Sequence, residues 1–265
     1  MTQDLLLQEL NEDGILRLSL HQGAKRNALS EAMLQALADA LDQISTNASV
    51  RVVILAAEGP AFCAGHDLKE LTAARENADR GRAVFERIMQ LCSQVMQKIV
   101  HCPKPIIAEV DGIATAAGCQ LVASCDLAIA SDHAQFSTPG VHIGLFCSTP
   151  MVALSRNVAH KHAMEMLLTG DMVSAMRAYE IGLVNKVVER AKLQDETLNL
   201  ARKIASKSSH TVAIGKRAFY EQAELSLAKA YQYAAHVMVE NMMARDAQEG
   251  ISAFIEKRPA KWQDR

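Results

Sequence analysis

Residues 59–71 read Gly59-Pro60-Ala61-Phe62-Cys63-Ala64-Gly65-His66-Asp67-Leu68-Lys69-Glu70-Leu71. The run Val52 to Ala56 comes just before them, and its β-branched residues predict a short buried strand. The segment then turns through small residues into a polar helix start. Small residues at 64 and 65 would let a ligand approach the backbone N–H groups closely. The segment therefore predicts a strand–turn–helix unit that could carry a site.

A second stretch has the same order of features. Residues 111–120 read Asp-Gly-Ile-Ala-Thr-Ala-Ala-Gly-Cys-Gln and follow the predicted strand 106–110. Two such turns could direct two peptide N–H groups at one carbonyl oxygen and so form an oxyanion hole. Tight packing of a strand against a helix also requires small residues. Spacing alone leaves both interpretations open.

The rest of the chain predicts alternating strands and helices. Residues 5–20 alternate around a turn at 11–14 and predict a β-hairpin, and Ser30 is expected to cap a helix. A long amphipathic helix is predicted over 76–100, a core strand over 127–130, and a short strand near 183–188. Helices dominate from about residue 149. This order predicts an α/β core followed by an α-helical C-terminal extension.

Charge and composition exclude several classes of protein. Lys plus Arg number 28 and Asp plus Glu number 30, which gives a formal net charge of −2. Nucleic-acid binders and polybasic membrane-surface proteins carry a clear basic excess, so neither nucleic acid nor a membrane is an expected partner. Apolar residues make up 49% of the chain, which excludes disorder. No apolar run approaches the roughly 18–20 residues that cross a bilayer.

Cysteine usage and motif content narrow the remaining classes. Six cysteines occur without a C-x-x-C pair, which predicts buried free thiols and a cytoplasmic location. Residues 1–10 lack a basic targeting pattern and predict a first strand. Signatures of dinucleotide oxidoreductases, P-loop NTPases, zincins and α/β-hydrolases are absent. No metal site is expected, because the imidazoles of His160 and His162 would point apart on a helix.

Both turn segments resemble the enoyl-CoA hydratase/isomerase (crotonase) family. Residues 59–71 resemble its F-x-A-G-x-D-L-K-E element, and residues 111–120 resemble its N-G-x-A-x-G-G-G-C-E-L element. Segments 114–120 and 144–150 are similar to the branch of enoyl-CoA hydratase domain-containing protein 3. The resemblance continues in order through residues 24–30, 125–130, 134–136, 168–170 with 182–184, and 250–258.

The resemblance implies a fold, an assembly and a substrate. The expected fold is an α/β crotonase spiral of ββα units in two roughly perpendicular sheets over residues 1–200. A helical oligomerisation region would follow over 201–265 and build a homotrimer, or a hexamer as a dimer of trimers. The substrate would be an acyl-CoA thioester, with no metal or tightly bound organic cofactor. Backbone N–H groups of Ala64 and Ala117 would stabilise its enolate.

The resemblance also implies the residues that contact CoA. They comprise one loop, one helix start and one C-terminal segment often supplied by a neighbouring subunit: Ala24, Lys25 and Arg26; Ala64, His66, Asp67 and Leu68; Phe254 and Lys257. Lys25, Arg26 and Lys257 could face phosphates, although a solvated surface charge is an equally ordinary role for each. Phe146 would form part of the pocket wall.

The two catalytic glutamates of the family's hydratases are replaced in this sequence. Gln120 stands where the G-G-G-C-E pattern has its glutamate, and Gly140 stands where the glutamate of a Q-P-E element would follow Pro139. Adding water to a double bond requires a base for the water and an acid for the α-carbon, and neither residue can transfer a proton near neutral pH. Classical hydration is therefore expected to be weak, with Gln120 orienting substrate or water.

Three alternatives remain at this point. His66, His142 or Cys147, or less readily Ser148, could replace the missing acid or base, since histidine titrates near neutrality. A decarboxylase would generate the enolate directly and would need no base. The third alternative is a non-catalytic or regulatory protein that binds acyl-CoA without turning it over.

Overall fold

Residues 5–265 contain ten short strands, which divide between two sheets. A computed structural model describes residues 5–265, so the part of the predicted first strand at residues 1–4 lies outside the described residues. The larger sheet has six strands in the order β1 (Leu6–Leu10), β2 (Ile15–Leu20), β3 (Val52–Ala57), β5 (Ile106–Val110), β7 (Leu127–Ser131) and β10 (Lys186–Val188). The smaller has four, β4 (Ala61–Cys63), β6 (Ile113–Thr115), β8 (Gln135–Ser137) and β9 (Val173–Ser174). Among these ten strands of the described chain, only β1–β2 and β8–β9 pair antiparallel.

Eleven helices lie between and after these strands in the described part of the chain. They are α1 (Glu31–Thr46), α2 (Leu68–Ala74), α3 (Arg82–His101), α4 (Ala117–Ser124), α5 (Ser148–Asn157), α6 (His160–Thr169), α7 (Ala175–Glu180), α8 (Leu193–Ala205), α9 (Ser209–Ala223), α10 (Leu227–Met243) and α11 (Arg245–Ile255). Short 3₁₀ turns occupy Gly23–Lys25, Pro139–Ile143 and Arg190–Lys192.

The order of these elements is a repeated ββα unit. The pairs β3–β4, β5–β6 and β7–β8 each place their first strand in the larger sheet and their second in the smaller sheet. Helices follow each pair, namely α2 and α3, then α4, then α5 and α6. The predicted spiral of ββα units followed by a helical C-terminal region is confirmed.

The core is built on both faces of the larger sheet. Residues 52–56 of β3 are almost completely buried, as their apolar run predicts for a central parallel strand. Helix α1 begins after Ser30, whose Oγ accepts the Met33 N–H at 3.2 Å, and its buried stripe joins the main core. On the other face Ala201 of α8 packs on Val52 and Ile107. Complete burial of a valine, leucine, isoleucine or methionine side chain in this core stabilises the folded state by about 1.5–3 kcal/mol.

The third helix begins later than its periodicity predicts. The sequence predicts a helix from residue 76, whereas α3 begins at Arg82. Gly81 has a left-handed φ of 89°, and the Asp79 carboxylate accepts the N–H groups of Gly81 at 3.0 Å and Ala83 at 2.8 Å. This carboxylate cap satisfies N–H groups that a continuous helix would have paired internally.

A buried ion pair joins the C-terminal helices to the core. Lys216 of α9 places its Nζ 2.7 Å from the Asp126 carboxylate, and the same Nζ donates to the carbonyl oxygens of Ile99 and Lys104. Tyr220 also donates its hydroxyl to Asp126. Burial nevertheless raises the pKa of Asp126 above its ordinary value, with Lys216 opposing the rise.

Helices α9 and α10 contain no fully buried residue. Exposed apolar side chains lie along α10, namely Leu227, Tyr231, Met238, Val239, Met242 and Met243.

The predicted boundary between two regions of the chain, at residue 200, falls within α8. The division into 1–200 and 201–265 stays a prediction. Within residues 5–265, the helices are too short or too polar to cross a membrane.

Candidate active site

The two turns identified in the sequence pack directly against each other. Gly65 follows β4 with a left-handed φ of 88°, and a Cβ placed on it would lie 2.9 Å from the Cβ of Ala116 and 3.3 Å from the nitrogen of Ala117. Thr115 adds a hydrogen bond from its Oγ1 to the carbonyl oxygen of Ala64 at 3.2 Å. The structure therefore brings residues 64–66 and 115–117 together.

Ala116 makes the second turn in a strained conformation. Its φ of 51° and ψ of −118° are unusual for a residue with a side chain, and such strain costs on the order of 1–3 kcal/mol. The turn is held because Ala116 donates its N–H to the Ser137 carbonyl oxygen at 2.9 Å, while its own carbonyl oxygen accepts the Gln120 N–H at 3.0 Å. In a trans peptide the C=O and the next N–H point in opposite directions. The Ala117 N–H consequently points out of the start of α4.

The structure corrects one of the two predicted oxyanion donors. The N–H of Ala64 already donates to the Arg26 carbonyl oxygen at 3.0 Å. The Gly65 carbonyl oxygen accepts the Leu29 N–H at 2.8 Å, so the N–H of His66 points away from Leu29. Within residues 5–265, the N–H groups of His66 and Ala117 have no protein acceptor. His66, rather than Ala64, is thus available beside Ala117.

Gly118 allows the start of α4 to approach β4. A Cβ at this position would overlap the carbonyl oxygen of Cys63 and would lie 2.8 Å from the Cys63 Cβ. The obstacle is backbone and cannot move aside without displacing the strand. Only glycine therefore fits where the two turns meet.

Replacing Gly118 by alanine should lower the free energy of unfolding by about 1–3 kcal/mol, because the added methyl group forces α4 away from β4. Gly215→Ala is the matched control: it lies within α9, and a Cβ there would have no atom within 4 Å. Alanine in a helix is favoured over glycine by about 0.5–1 kcal/mol. Urea denaturation should shift the two midpoints in opposite directions, and equal midpoints would contradict the packing argument.

Gln120 lies in the first turn of α4 and is buried. Its Oε1 is 3.9 Å from the Cys92 sulfur, which donates a weak hydrogen bond. Burial raises the pKa of the Cys92 thiol to about 12, so that thiol stays neutral. The Gln120 amide nitrogen donates to no protein acceptor among residues 5–265, which leaves it available to a ligand.

Gly140 lies in the turn Pro139–Ile143, and its side-chain position is already occupied. A Cβ on Gly140 would meet the Leu145 carbonyl oxygen at 2.9 Å and the Cys147 sulfur at 3.0 Å. Burial raises the pKa of Cys147. Burial also raises the pKa of Cys119 to about 12, with a smaller contribution from neighbouring Cys147. Cys147 therefore fills the space next to Gly140 and faces α4.

The histidine candidates differ in their surroundings. The ring of His66 is largely buried: its Nδ1 lies 3.3 Å from the Leu29 carbonyl oxygen, and its Nε2 is buried without a hydrogen-bond partner in the described chain. His142 is exposed, and its Nε2 approaches Gly170 at the end of α6. Ser148 donates its hydroxyl to the Phe146 carbonyl oxygen, and Phe146 is itself exposed.

The segment predicted to contact CoA lies beside the first turn. Ala24, Lys25 and Arg26 are exposed, and neither cation forms an ion pair within the described chain. Asn27, whose role the sequence did not indicate, is completely buried and donates its amide to the carbonyl oxygens of Glu58 at 2.8 Å and Ala61 at 2.9 Å. Asn27 thereby fixes the loop against the start of β4.

The other predicted CoA contacts are divided between two places. Asp67 caps α2, because its Oδ1 accepts the N–H groups of Lys69 and Glu70 at 2.9 and 3.3 Å, and Leu68 beside it is exposed. Phe254 at the end of α11 is 85% exposed, and Lys257 just beyond is exposed too. No hydrogen bond or ion pair joins these two residues to the site within residues 5–265, so their role stays a prediction.

The chain belongs to the enoyl-CoA hydratase/isomerase family, whose model matches residues 11–265. The human enoyl-CoA hydratase domain-containing protein 3, mitochondrial, is 51% identical over 251 residues, which cover 94% of this chain and 81% of that protein. A crystal structure of an enoyl-CoA hydratase from Mycobacterium smegmatis superimposes with a TM-score of 0.94 at 50% identity, covering 98% of this chain and 99% of that chain. The crystal structure of the human domain-containing protein 3 gives 0.92 at 47% identity, covering 98% and 100%. The predicted family and branch are confirmed.

The predicted cytoplasmic location is contradicted by these relatives. The human, rat and mouse proteins are each named mitochondrial. All six cysteines are buried free thiols, as expected. A thiol that is buried stays free because oxidants cannot reach it, whichever cellular compartment holds the protein. The cysteine pattern therefore could not identify the compartment.

Among residues 5–265, no three His, Cys, Asp or Glu side chains are grouped to hold a metal ion.

Proposed function

We propose that the protein binds acyl-CoA thioesters and stabilises their enolates with the backbone N–H groups of His66 and Ala117. The observation that carries the proposal is that both groups are free of protein acceptors among residues 5–265 and flank the contact between Gly65 and Ala117. A thioester oxygen between them would receive two hydrogen bonds and the field of the α4 N-terminus. Removing one such donor typically costs about 3 kcal/mol of transition-state stabilisation.

The CoA moiety would lie along the neighbouring loop. Arg26 is tied to Ala64 through its carbonyl oxygen, which places the exposed side chains of Lys25 and Arg26 beside the entrance. Their charges suit the phosphates of CoA. Asp67 and Leu68 begin the helix that borders this loop. The thioester enters as substrate, and the proposed chemistry needs no metal or tightly bound organic cofactor.

The proposed assembly is a homotrimer, or a hexamer built from two trimers. Its support is the exposed apolar face of α10, which a second copy of the chain would cover. Phe254 is exposed to a similar degree at the end of α11. In such an assembly Phe254 and Lys257 would reach the nucleotide end of CoA bound to a neighbouring subunit.

Two-glutamate hydration is not part of the proposal. The carboxamide of Gln120 cannot exchange protons near neutral pH, and Gly140 has no side chain. Each missing acid–base group is worth roughly 10²–10⁴-fold in rate. The absence of both carboxylates favours, as the second candidate, decarboxylation of a malonyl-type thioester, because loss of CO₂ leaves the enolate electrons without any base.

The purified protein should bind butyryl-CoA by calorimetry and hydrate crotonyl-CoA only slowly, far below the kcat/KM of about 10⁴ M⁻¹s⁻¹ that marks efficient enzymes. Loss of the enoyl absorbance follows hydration, and release of CO₂ from methylmalonyl-CoA tests the second candidate. Binding without any turnover would leave a non-catalytic acyl-CoA protein. Failure to bind any CoA ester would refute the proposal.

A further inference from the structure

The tautomer of His66 is set by its backbone contact. A carbonyl oxygen only accepts hydrogen bonds, so the Nδ1 that lies 3.3 Å from the Leu29 oxygen carries the ring hydrogen. The lone pair is therefore on Nε2. Burial lowers the pKa of His66, against a smaller opposing effect of the Leu29 hydrogen bond, and so keeps the ring neutral near pH 7.

The Nε2 atom of His66 is an acceptor without a donor. It is buried and has no hydrogen-bond partner in the part of the chain that the structure describes. Leaving a buried polar atom unpaired costs about 1–3 kcal/mol, so native proteins seldom retain one without a compensating use. A ligand that brings a hydrogen to this atom would remove that cost.

The same residue provides a proposed oxyanion donor through its backbone. A thioester oxygen held by the His66 N–H has its carbonyl carbon one bond away and its α-carbon two bonds away. The imidazole is the side chain of this same residue. A thioester bound in this way would therefore have its acidic C–H within a few bond lengths of residue 66, which also carries the basic atom.

Other proton acceptors around the two turns are engaged or unsuitable. Backbone N–H groups hold one oxygen of each nearby carboxylate: the Asp67 Oδ1 accepts the two N–H groups that begin α2, and the Glu70 Oε2 accepts the N–H of Glu31 at 3.0 Å. Burial raises the pKa of Cys147 and keeps it a thiol. His142 is exposed and turned toward Gly170. His66 is thus the one neutral base in this part of residues 5–265.

We propose that His66 is a catalytic residue that removes and returns the α-proton of a bound acyl-CoA thioester. The α-carbon C–H bond breaks, its electron pair forms the C=C bond of the enolate, and the carbonyl π electrons move to the oxygen held by the two N–H groups. The proton goes to Nε2, giving an imidazolium whose Nδ1–H remains on the Leu29 oxygen. The reverse step returns a proton from the ring, so no further reactant is needed.

This inference rests on the proposed acyl-CoA site, and exchange of the α-hydrogens tests it. Butyryl-CoA is incubated with the protein in D₂O, and deuterium in the recovered thioester is measured by mass spectrometry. The wild type should catalyse exchange, and His66→Asn should reduce the rate by roughly 10²–10⁴-fold. Asparagine keeps a donor for the Leu29 oxygen but has no atom at the Nε2 position. The exposed His160 supplies the control, and His160→Asn should exchange at the wild-type rate.

A second substitution separates proton transfer from hydrogen bonding. His66→Gln keeps an acceptor near the Nε2 position but cannot take up a proton near neutral pH, so it should lose exchange while calorimetry still detects butyryl-CoA binding. Retained exchange in a folded His66→Gln or His66→Asn protein would overturn the inference. Wild-type binding without exchange would overturn it too and leave the proposed site intact. No binding of butyryl-CoA by the wild type would overturn both.

Discussion

The variant Gln120→Glu/Gly140→Glu/Cys147→Gly should hydrate crotonyl-CoA at least on the order of 10² faster than the wild type, since each restored acid–base group is worth roughly 10²–10⁴-fold. The third substitution is required by the structure. The Cys147 sulfur would lie 3.0 Å from a Cβ at position 140, and the Leu145 carbonyl oxygen 2.9 Å from it. Glycine at 147 removes the sulfur, but the loop must still shift so that the Leu145 carbonyl oxygen moves away from the new side chain.

Two control variants separate the effect of the restored carboxylates from the effect of repacking around residue 147. Gln120→Glu/Gly140→Glu with Cys147 retained should fold poorly or gain little, because the sulfur still occupies the site. Gly140→Gln/Cys147→Gly carries the same volume without either carboxylate and should stay at the wild-type rate. Glycine is accepted at N-cap positions such as residue 147 before α5, while the loss of the buried Cys147 side chain is offset only if the glutamate side chain introduced at position 140 fills its space. A folded triple variant that binds crotonyl-CoA without hydrating it would contradict the two-carboxylate argument.

Replacing Lys216 by methionine should lower the free energy of unfolding by about 3–5 kcal/mol at pH 7. The side chains of Lys216 and Asp126 are only 7% and 15% exposed, so the substitution leaves a carboxylate buried without its cation. The substitution also removes the Lys216 Nζ donor from two carbonyl oxygens, that of Ile99 at 3.0 Å and that of Lys104 at 3.1 Å. Urea denaturation measures the loss. Lys203→Met, on the exposed side of α8, should change stability little.

The pH dependence of Lys216→Met has a defined sign. Burial raises the pKa of Asp126 in the folded state, and loss of Lys216 raises it further. The folded protein therefore binds this proton more tightly than the unfolded chain, so the penalty is complete above the folded pKa. It disappears as the pH falls toward the unfolded value of about 3.9. Adding Asp126→Asn should recover part of the loss at pH 7. An equal loss at pH 7 and pH 4.5 would contradict the buried-charge explanation.

Local signals in the sequence predicted most of the secondary structure, whereas the spiral of ββα units was expected only from the family resemblance. The hairpin, the strand at 52–57 and the helix after Ser30 depend on alternation, a buried apolar run and a side-chain cap, all read within a few residues. The start of α3 was missed because the carboxylate cap at Asp79 interrupts an otherwise helical pattern. Its local signal, an aspartate followed by Gly81, was present in the sequence.

The features that the sequence did not predict depend on contacts between residues far apart in the chain. Which N–H group is free near Gly65 depends on Arg26 and Leu29, about 37 residues earlier, so Ala64 was predicted as the donor in place of His66. Contact between Lys216 and Asp126 spans 90 residues and has no local pattern. The space between Gly140 and Cys147 likewise depends on a turn whose shape is visible only in three dimensions.

The division of each ββα unit between two sheets has a consequence for folding during synthesis. In the larger sheet β3 pairs with β2 and β5, and β7 pairs with β5 and β10, so each new unit docks on the one made just before it. Assembly can therefore proceed from the amino-terminal hairpin as the chain leaves the ribosome, much as a repeat protein grows from one end. The open edge of the nascent sheet is covered only when the next unit arrives, so slower translation would leave that edge unpaired for longer.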